Sequence, residues 1–516
     1  MRLIPNSGLT TIKTPRLCIV AGKTPASRGY IEHGGAMSKP NFKYVENRAI
    51  FNRFQWHDLV QQALGANRAE EGWQIAGRAL LVFPDDPALL ELRASASLEQ
   101  HQPDRAAAEL ARASMLVPAS RSVWQKIAIA AHLTFKSETA VRAAKRCLVL
   151  EPRNHNAGTN LFEFFRRLGD LKAMVRQGAL NEMRHPEDGF ARFQYGMGLL
   201  SLERWREGWP RYDCRLELKT SKPDPRRFAD LPFWDGQAGS ARRLLIWTDQ
   251  NVGDEMQFAR LLPKVQGRVE TVTVECDERL VPLFQRSFPA IRAVARSDDG
   301  AIARQAGPFD AQLPQGHLGG VFLNRTEVFE SLPTMWLAGD AEKTARLRAR
   351  YQRISQGKPV IGVAWRSSNK NFQGKNIPLP LWAPILKMQE AFFLSVQYGD
   401  VTADFAQLQR ATGLRLARDP EIDPMKDLDG FAAQLQALDL VISISNSTIH
   451  QACGLGREVW GLVHVRPDWR WGVAGARTPW FPTLKIYRQI ERNDWAPVIA
   501  EVKEDLQQWL AHLNNA

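Results

Sequence analysis

The chain has 516 residues, enough for roughly three domains at about 150 residues each. Its 44% hydrophobic and 24% charged residues are those of a globular protein, which excludes collagen-like, wholly disordered and disulfide-scaffold chains. Lys and Arg number 68 against 55 Asp and Glu, a net charge of +13. Residues 1–50 hold eight of those bases with only Glu32 and Glu46, a net of +6, so the rest of the chain carries a mild +7. A basic body suits polyanions, diphosphates or acidic proteins. With no Lys/Arg run and no nucleic-acid motif, a nucleic-acid partner is not expected. The five cysteines, Cys18, Cys147, Cys214, Cys276 and Cys453, form no CxxC and are odd in number. They read as buried free thiols in a reducing, cytoplasmic setting. Every apolar run is too short to cross a bilayer as a helix, so no membrane span is expected.

Residues 1–45 mix Gly, Pro, Ser, Thr and bases without periodicity, and the tail, placed at 1–52, is expected to be disordered. Its basic, acid-poor composition also fits a transit peptide, and Met37 offers an alternative start. Prolines then recur at Pro84, Pro118, Pro152 and Pro186, evenly spaced and each closing a helical stretch. Their spacing is the tetratricopeptide (TPR) period, in which a proline stops the second helix of each pair. Small residues (Ala94, Ala128 and Gly196 in first helices, Ala113 and Cys147 in second) recur where paired helices must approach closely. A solenoid of some five helix pairs is expected over residues 53–220, ending in YGMGLLSLERWREGWPRYDCR. Stacked pairs commonly offer a concave face to a protein or peptide; packing against a neighbouring domain is the alternative.

After residue 240 short apolar runs alternate with helical stretches. RLLIW (243–247), VTVEC (272–276) and AVA (293–295) read as one series of strands, with helical stretches at 254–265 and 277–287. VIGVAW (360–365), FFLSVQ (392–397), LVISIS (440–445) and VWGLV (459–463) read as a second. A charged helix (339–356) separates them and an amphipathic helix (494–513) ends the chain. Buried parallel strands are expected, in two doubly wound lobes facing a cleft: 221–345 and 346–516. Ligands of such sheets bind beyond the carboxyl ends of the strands. No strand is followed by GxGxxG or GxxxxGK[ST], and HExxH, GxSxG and paired Cys/His clusters are absent from the sequence. Dinucleotide oxidoreductases, P-loop NTPases, zinc hydrolases and serine hydrolases therefore lose support.

Four loops carry candidate chemistry. In IWTDQNVGDEMQFARLLP (246–263), Asp254 stands at a strand-to-helix junction, where it serves either as a cap or as a general base. WRSSNKNFQGKNIPLPLW (365–382) offers Arg366, Lys370, Lys375, Ser367 and Ser368, a set that suits a diphosphate or a solvated polar loop. In SISNSTIHQACGLG (443–456), Asn446, Ser447 and Thr448 open a helix and His450 follows on its first turn. That is an anion site or plain capping, with His450 placed to donate to a leaving phosphate. HVRPDWRWG (464–472) with Trp480 stacks on a base or sugar, or packs the lobes together.

Taken in order, GDEMQFARLLP, VQYGD (396–400), DLDGFAAQLQALDLVIS (427–443), NSTIHQACGLG, PDWRWG and PWFPTLKIYRQ (479–489), with REGWPRYDCR and FWDGQ (233–237) before them, resemble a known family. The chain is similar to the bacterial TPR-containing glycosyltransferases. Their transferase part is akin to heptosyltransferases and more distantly to O-linked N-acetylglucosamine transferases. The resemblance covers about residues 195–500. It implies a GT-B fold with a nucleotide-sugar donor in the C-terminal lobe, and inverting transfer without a metal or other cofactor. It makes Asp254 the base, Lys375 the donor-phosphate contact, and NSTIH (446–450) the diphosphate turn; Arg366 and Gln397 (in VQYGD) complete the expected binding set. The implied acceptor is a hydroxyl on a protein held by the TPR groove, flagellin or another surface protein by family analogy. A glycan or lipid-linked sugar acceptor stays open. Where the family often has Asp and Gln-Gly-Leu-Gly-Asp, this chain has Ser445 and Gln-Asn-Val-Gly-Asp. A TPR scaffold with a degenerate transferase domain is therefore the alternative.

Overall fold

The structure, a computed structural model, describes residues 51–218, 224–367, 374–465 and 468–515. The expected disordered tail and the transit-peptide reading lie outside these residues. The first helices of the repeat are α1 (Arg53–Gly65), α3 (Pro87–Glu99), α5 (Arg121–Leu133), α7 (His155–Leu168) and α9 (Gly189–Ser201). The second helices are α2 (Ala69–Val82), α4 (Pro103–Leu116), α6 (Ser137–Leu150), α8 (Leu171–Arg184) and α10 (Trp205–Tyr212). Both series start at the same even interval as the prolines.

Three local signals enforce that period. Asn52, Asp86, Ser120, Asn154 and Asp188 cap the first helices, each side chain accepting a backbone N–H of the first turn. The turn inside each pair passes through one left-handed residue: Asn67, His101, Phe135, Gly169, Glu203, with φ of 56°, 58°, 62°, 75° and 59°. The residues before the four prolines, Phe83, Val117, Glu151 and His185, leave the helical region, because the following ring crowds their backbone. Ala79, Ala94, Ala113, Ala128 and Cys147 are buried between helices. In α9, a Cβ on Gly196 would stand 2.5 Å from the backbone N of Tyr212 in α10, so only glycine lets that pair touch.

The chain divides into two compact units, up to His185 and from Pro186 onward. The helices α1–α8 form the first. The pair α9–α10 keeps the repeat period but belongs to the second unit. There Trp209 donates its indole N–H to Leu323 O at 2.7 Å and meets Trp469 and Trp480 edge to face.

The second unit holds two parallel sheets. The first, ordered β3-β2-β1-β4, comprises β1 (Arg243–Trp247), β2 (Thr271–Cys276), β3 (Ile291–Ala295) and β4 (Ala311–Pro314). The second, ordered β10-β9-β8-β5-β6-β7, comprises β5 (Val360–Ala364), β6 (Phe392–Ser395), β7 (Ala417–Arg418), β8 (Leu440–Ile444), β9 (Val459–Val463) and β10 (Leu484–Arg488). The helices used below are α11 (Val252–Phe258), α12 (Val281–Ser287), α13 (Ala341–Ser355), α14 (Thr402–Thr412), α15 (Leu428–Gln436), α16 (Ser447–Gly454) and α17 (Ala496–Asn515). Strands β5, β8 and β9 are buried along their whole length, as parallel strands covered on both faces must be.

The strands β4, β7 and β10 extend the expected series. β4 (AQLP) is short and carries a polar residue, but Gln312 is buried because its Oε1 accepts the indole N–H of Trp247 at 2.5 Å. The helical stretch expected at 254–265 is broken into α11, a 3-10 turn at Ala259–Leu261 and a last turn at Leu262–Val265; Pro263 lies at the start of that last turn, where a proline is tolerated. Cys147, Cys214, Cys276 and Cys453 are free and buried, as the sequence suggests.

The two sheets are tied by charged side chains. Arg260 is buried and donates to three carbonyls, Pro333 O (2.9 Å), Pro479 O (2.8 Å) and Trp480 O (2.9 Å). Arg286 on α12 forks onto Asp429 of α15 at 2.6 and 2.9 Å.

Candidate functional site

The loop after β1 and the loop after β8 each end in a helix start, and these two starts meet. A Cβ on Gly253 in α11 would lie 3.4 Å from Cδ2 of His450 in α16. Asp254 is the third residue of α11, and Asn251 is the N-cap. One Asp254 oxygen accepts the Asn251 backbone N–H at 3.3 Å. The other is ion-paired to Arg470. The Asp254 side chain is 18% exposed and that of Arg470 10%. Burial pushes the Asp254 carboxyl above its usual range, and Arg470 opposes that rise.

Arg470 is itself held by Asp468 at 2.6 Å and by Gln257 Oε1 at 2.7 Å, and its guanidinium lies 4.4 Å from the Trp469 ring centroid. Trp469, Trp471 and Trp480 are buried. This loop thus packs the lobes with its tryptophans and turns its arginine to Asp254. Arg466 and Pro467, in the same loop, lie outside the described residues.

At the other side of the meeting point, Asn446 caps α16, accepting the Thr448 N–H at 2.9 Å. Ser447 opens the helix. The Thr448 hydroxyl and the His450 Nδ1 are buried with no hydrogen-bond partner. The Lys375 ammonium reaches this end, donating to Ser445 O at 2.9 Å. Burial lowers the Lys375 pKa. Burial, then the positive field of Arg470, holds His450 down to about 3. His450 is therefore neutral at pH 7, with a ring N–H to offer as a hydrogen bond and no proton to give up.

The remaining expected residues sit differently. Arg366 is spent on Asp404 at the start of α14 (2.7 Å) and on Asp400 O. The Gln397 amide is fully occupied by backbone: it accepts from Trp365 N and Arg366 N and donates to Arg366 O and Tyr398 O. It splices the ends of β5 and β6. The Ser367 N–H donates to Asn376 Oδ1 at 2.9 Å; Ser368 and Lys370 lie outside the described residues.

A second charged cluster follows β1 and β4. Buried Arg215 pairs with Asp249 and Asp213, both at 2.8 Å, and His317 Nδ1 lies 3.2 Å from Asp213. Burial raises the Asp213 carboxyl to about 6 despite Arg215. Tyr212 OH donates to Gln250 Oε1 at 2.7 Å. Sequence reasoning named neither this cluster nor the Asp254 partner Arg470. An arginine between two tryptophans in WRWG is the signal that could have found the latter, since a buried guanidinium needs acceptors and a carboxylate is the strongest of them.

No family model matches the chain. It is 29% identical over 363 residues to Protein FlbA of Caulobacter vibrioides, an alignment that takes in 67% of this chain. The chain spans 60% of the length of that relative. Among solved structures it is similar to MamA (14% identity, TM-score 0.30, 31% of this chain and 94% of that one). It is also similar to YrrB, described as a TPR protein with an unusual peptide-binding site (11% identity, TM-score 0.31, 35% of this chain and 93% of that one). The repeat rests on its own backbone periodicity. Among the described residues, no helix is long and apolar enough to cross a membrane.

Proposed function

We propose that the second unit is a GT-B-type glycosyltransferase moving a sugar from a nucleotide-sugar to an acceptor hydroxyl, on a protein recruited by the solenoid. The observation that carries this reading is the convergence of Asp254 with Lys375, Thr448 and His450 where α11 and α16 meet. An anionic diphosphate fits the start of α16: helix N–H groups, the Lys375 ammonium and the unpartnered Thr448 hydroxyl supply positive potential and donors. Asn446 caps the start of α16, Ser447 opens that helix, and Arg366 and Gln397 order the neighbouring ends of β5 and β6 through Asp404 and backbone; these are positioning roles.

The acceptor oxygen attacks the anomeric carbon as the bond to the diphosphate breaks. The proton passes to Asp254 and the electron pair leaves with the diphosphate, inverting the configuration. Charge that builds on the leaving group meets Lys375 and the neutral His450 donor, which take the role a metal has elsewhere. Arg470 keeps Asp254 ionised and in place, and the base strength comes from the partial burial of the pair.

A second reading has a specific observation behind it. Both Asp254 oxygens are already engaged, by Arg470 and by Asn251, which favours a scaffold whose transferase site is degenerate. Turnover separates the two. With the nucleotide-sugar that the protein binds and a protein acceptor, Asp254→Asn should cut the rate of intact-mass gain by about 10²–10⁴-fold and leave donor affinity unchanged. Equal turnover in the variant removes Asp254 from the role. Mass gain on a free glycan rather than on protein would reassign the acceptor.

A further inference from the structure

The solenoid carries an apolar ladder that packing does not use. Leu81, Met115, Val149 and Met183 occupy the same place in four successive second helices, one repeat apart. Their exposures are 85%, 76%, 70% and 69%. Val82 and Leu116 widen the first two rungs and are exposed as well. Single exposed apolar residues are ordinary, but a contiguous strip marks an interaction surface. One helical turn earlier on the same helices stand Arg78, Arg112 and Arg146, all exposed; of these, Arg112 pairs with Asp85 and Arg146 donates to Pro118 O at 3.4 Å. The ladder is separate from the inner face of the stack. α1 packs on α3 and α3 on α5, which puts the first helices inside the curve and the ladder on its outside.

We propose that this ladder is a docking strip for an acidic polypeptide segment that carries apolar side chains. Charge and shape select that occupant. A second copy of this chain, at a net +13, and its own residues 1–50, at +6, bring like charge to the arginine rungs. A flat lipid surface meets few rungs at once, because successive repeats of a solenoid rotate relative to each other. A polypeptide follows the twist, placing an apolar side chain on each rung and carboxylates on the arginines. The strip is independent of the transfer chemistry above.

The test uses the full chain and a fluorescent peptide of about 20 residues, ~30 Å long as a helix, built from Glu and Leu with Leu at helical spacing. A Lys-for-Glu version is the control. Fluorescence anisotropy should show binding of the Glu peptide and at least tenfold weaker binding of the Lys peptide. In the triple variant Leu81→Glu, Met115→Glu, Val149→Glu, affinity for the Glu peptide should fall at least tenfold. The milder triple change to Ser, with unaltered circular dichroism, should weaken it in the same direction and so exclude misfolding as the cause. Equal binding of both peptides, or equal binding by wild type and variants, overturns the proposal. So does a wild-type dimer in sedimentation that the triple variant dissolves, or anionic-vesicle binding that the triple variant loses, since each assigns the ladder to another occupant.

Discussion

The two units bury different things. The solenoid fills its seams with small apolar side chains, Ala79, Ala94, Ala106, Ala113 and Ala128 among them, and of its described charged residues it buries Asp86, a helix cap, and Glu163, paired to Arg166 and Arg167. The second unit buries Arg215, Glu255, Arg260, Glu275 and Arg470. Small-residue seams let each repeat stack on the next by the same local rules, so the first unit is specified a repeat at a time. Buried charges are costly unless each finds its partner across the fold. In the second unit Arg215 and Arg470 find Asp249 and Asp254 in the loop and helix after β1, and Glu255 finds Arg296 just after β3. The difference teaches where to look: charge is buried at a cost to stability where chemistry or tight positioning needs it.

The comparison breaks most visibly at Arg470. Arg470→Met leaves the Asp254 carboxylate half-buried and unpaired, and should destabilise the second unit by about 3–5 kcal/mol. Hydrogen exchange should report that loss in α11 and α16 and leave the solenoid helices unchanged. A loss spread evenly over both units would deny that the pair is a local keystone.

The next effect is one of pH. His450 titrates near 3 in the folded protein and near 6.5 when unfolded. Below pH 6.5 the unfolded chain takes up a proton that the folded one refuses, so stability falls as the pH drops toward 3. Replacing it by Phe keeps a ring against Trp471 and Phe481 and removes the titration. The unfolding free energy of His450→Phe should change little at pH 7 and should fall less than that of wild type by pH 4, by about 3 kcal/mol, as read from denaturant unfolding. Parallel acid limbs in the two proteins would show that His450 is not held neutral by its surroundings.

Smaller still is overpacking of a solenoid seam. Ala113→Leu should cost about 1–3 kcal/mol, with exchange protection lost in α3–α5 alone. Loss of protection in the second unit would contradict the repeat-by-repeat account.

How much was legible in the sequence follows the same division. Four prolines at equal spacing revealed the repeat because each acts on its own neighbours. The caps from Asn52 to Asp188 and the left-handed turn residues carry the same period and strengthen it. Strands rich in Val, Ile and Leu were equally plain. β4 was not, because Gln312 is buried through a bond to Trp247, 65 residues away. The site was legible as loops and not as contacts. Asp254, Lys375, Thr448 and His450 converge, but Arg366 and Gln397 turn to Asp404 and to backbone, and no local pattern distinguishes a side chain that faces a ligand from one that faces its own chain. The partner of Asp254 lies 216 residues away, beyond any reading by spacing.

The central claim is that the start of α16, with Lys375, binds the diphosphate of a nucleotide-sugar. Thermal unfolding of the full chain with UDP, GDP, ADP, CMP and their sugars tests it most directly. Binding at 100 times the dissociation constant adds about 2.7 kcal/mol, a rise of several degrees for domains of this size. One nucleotide class should give that rise, Asp254→Asn should keep it, and Lys375→Ala should lose it. No rise with any nucleotide, or an undiminished rise in Lys375→Ala, would contradict the account.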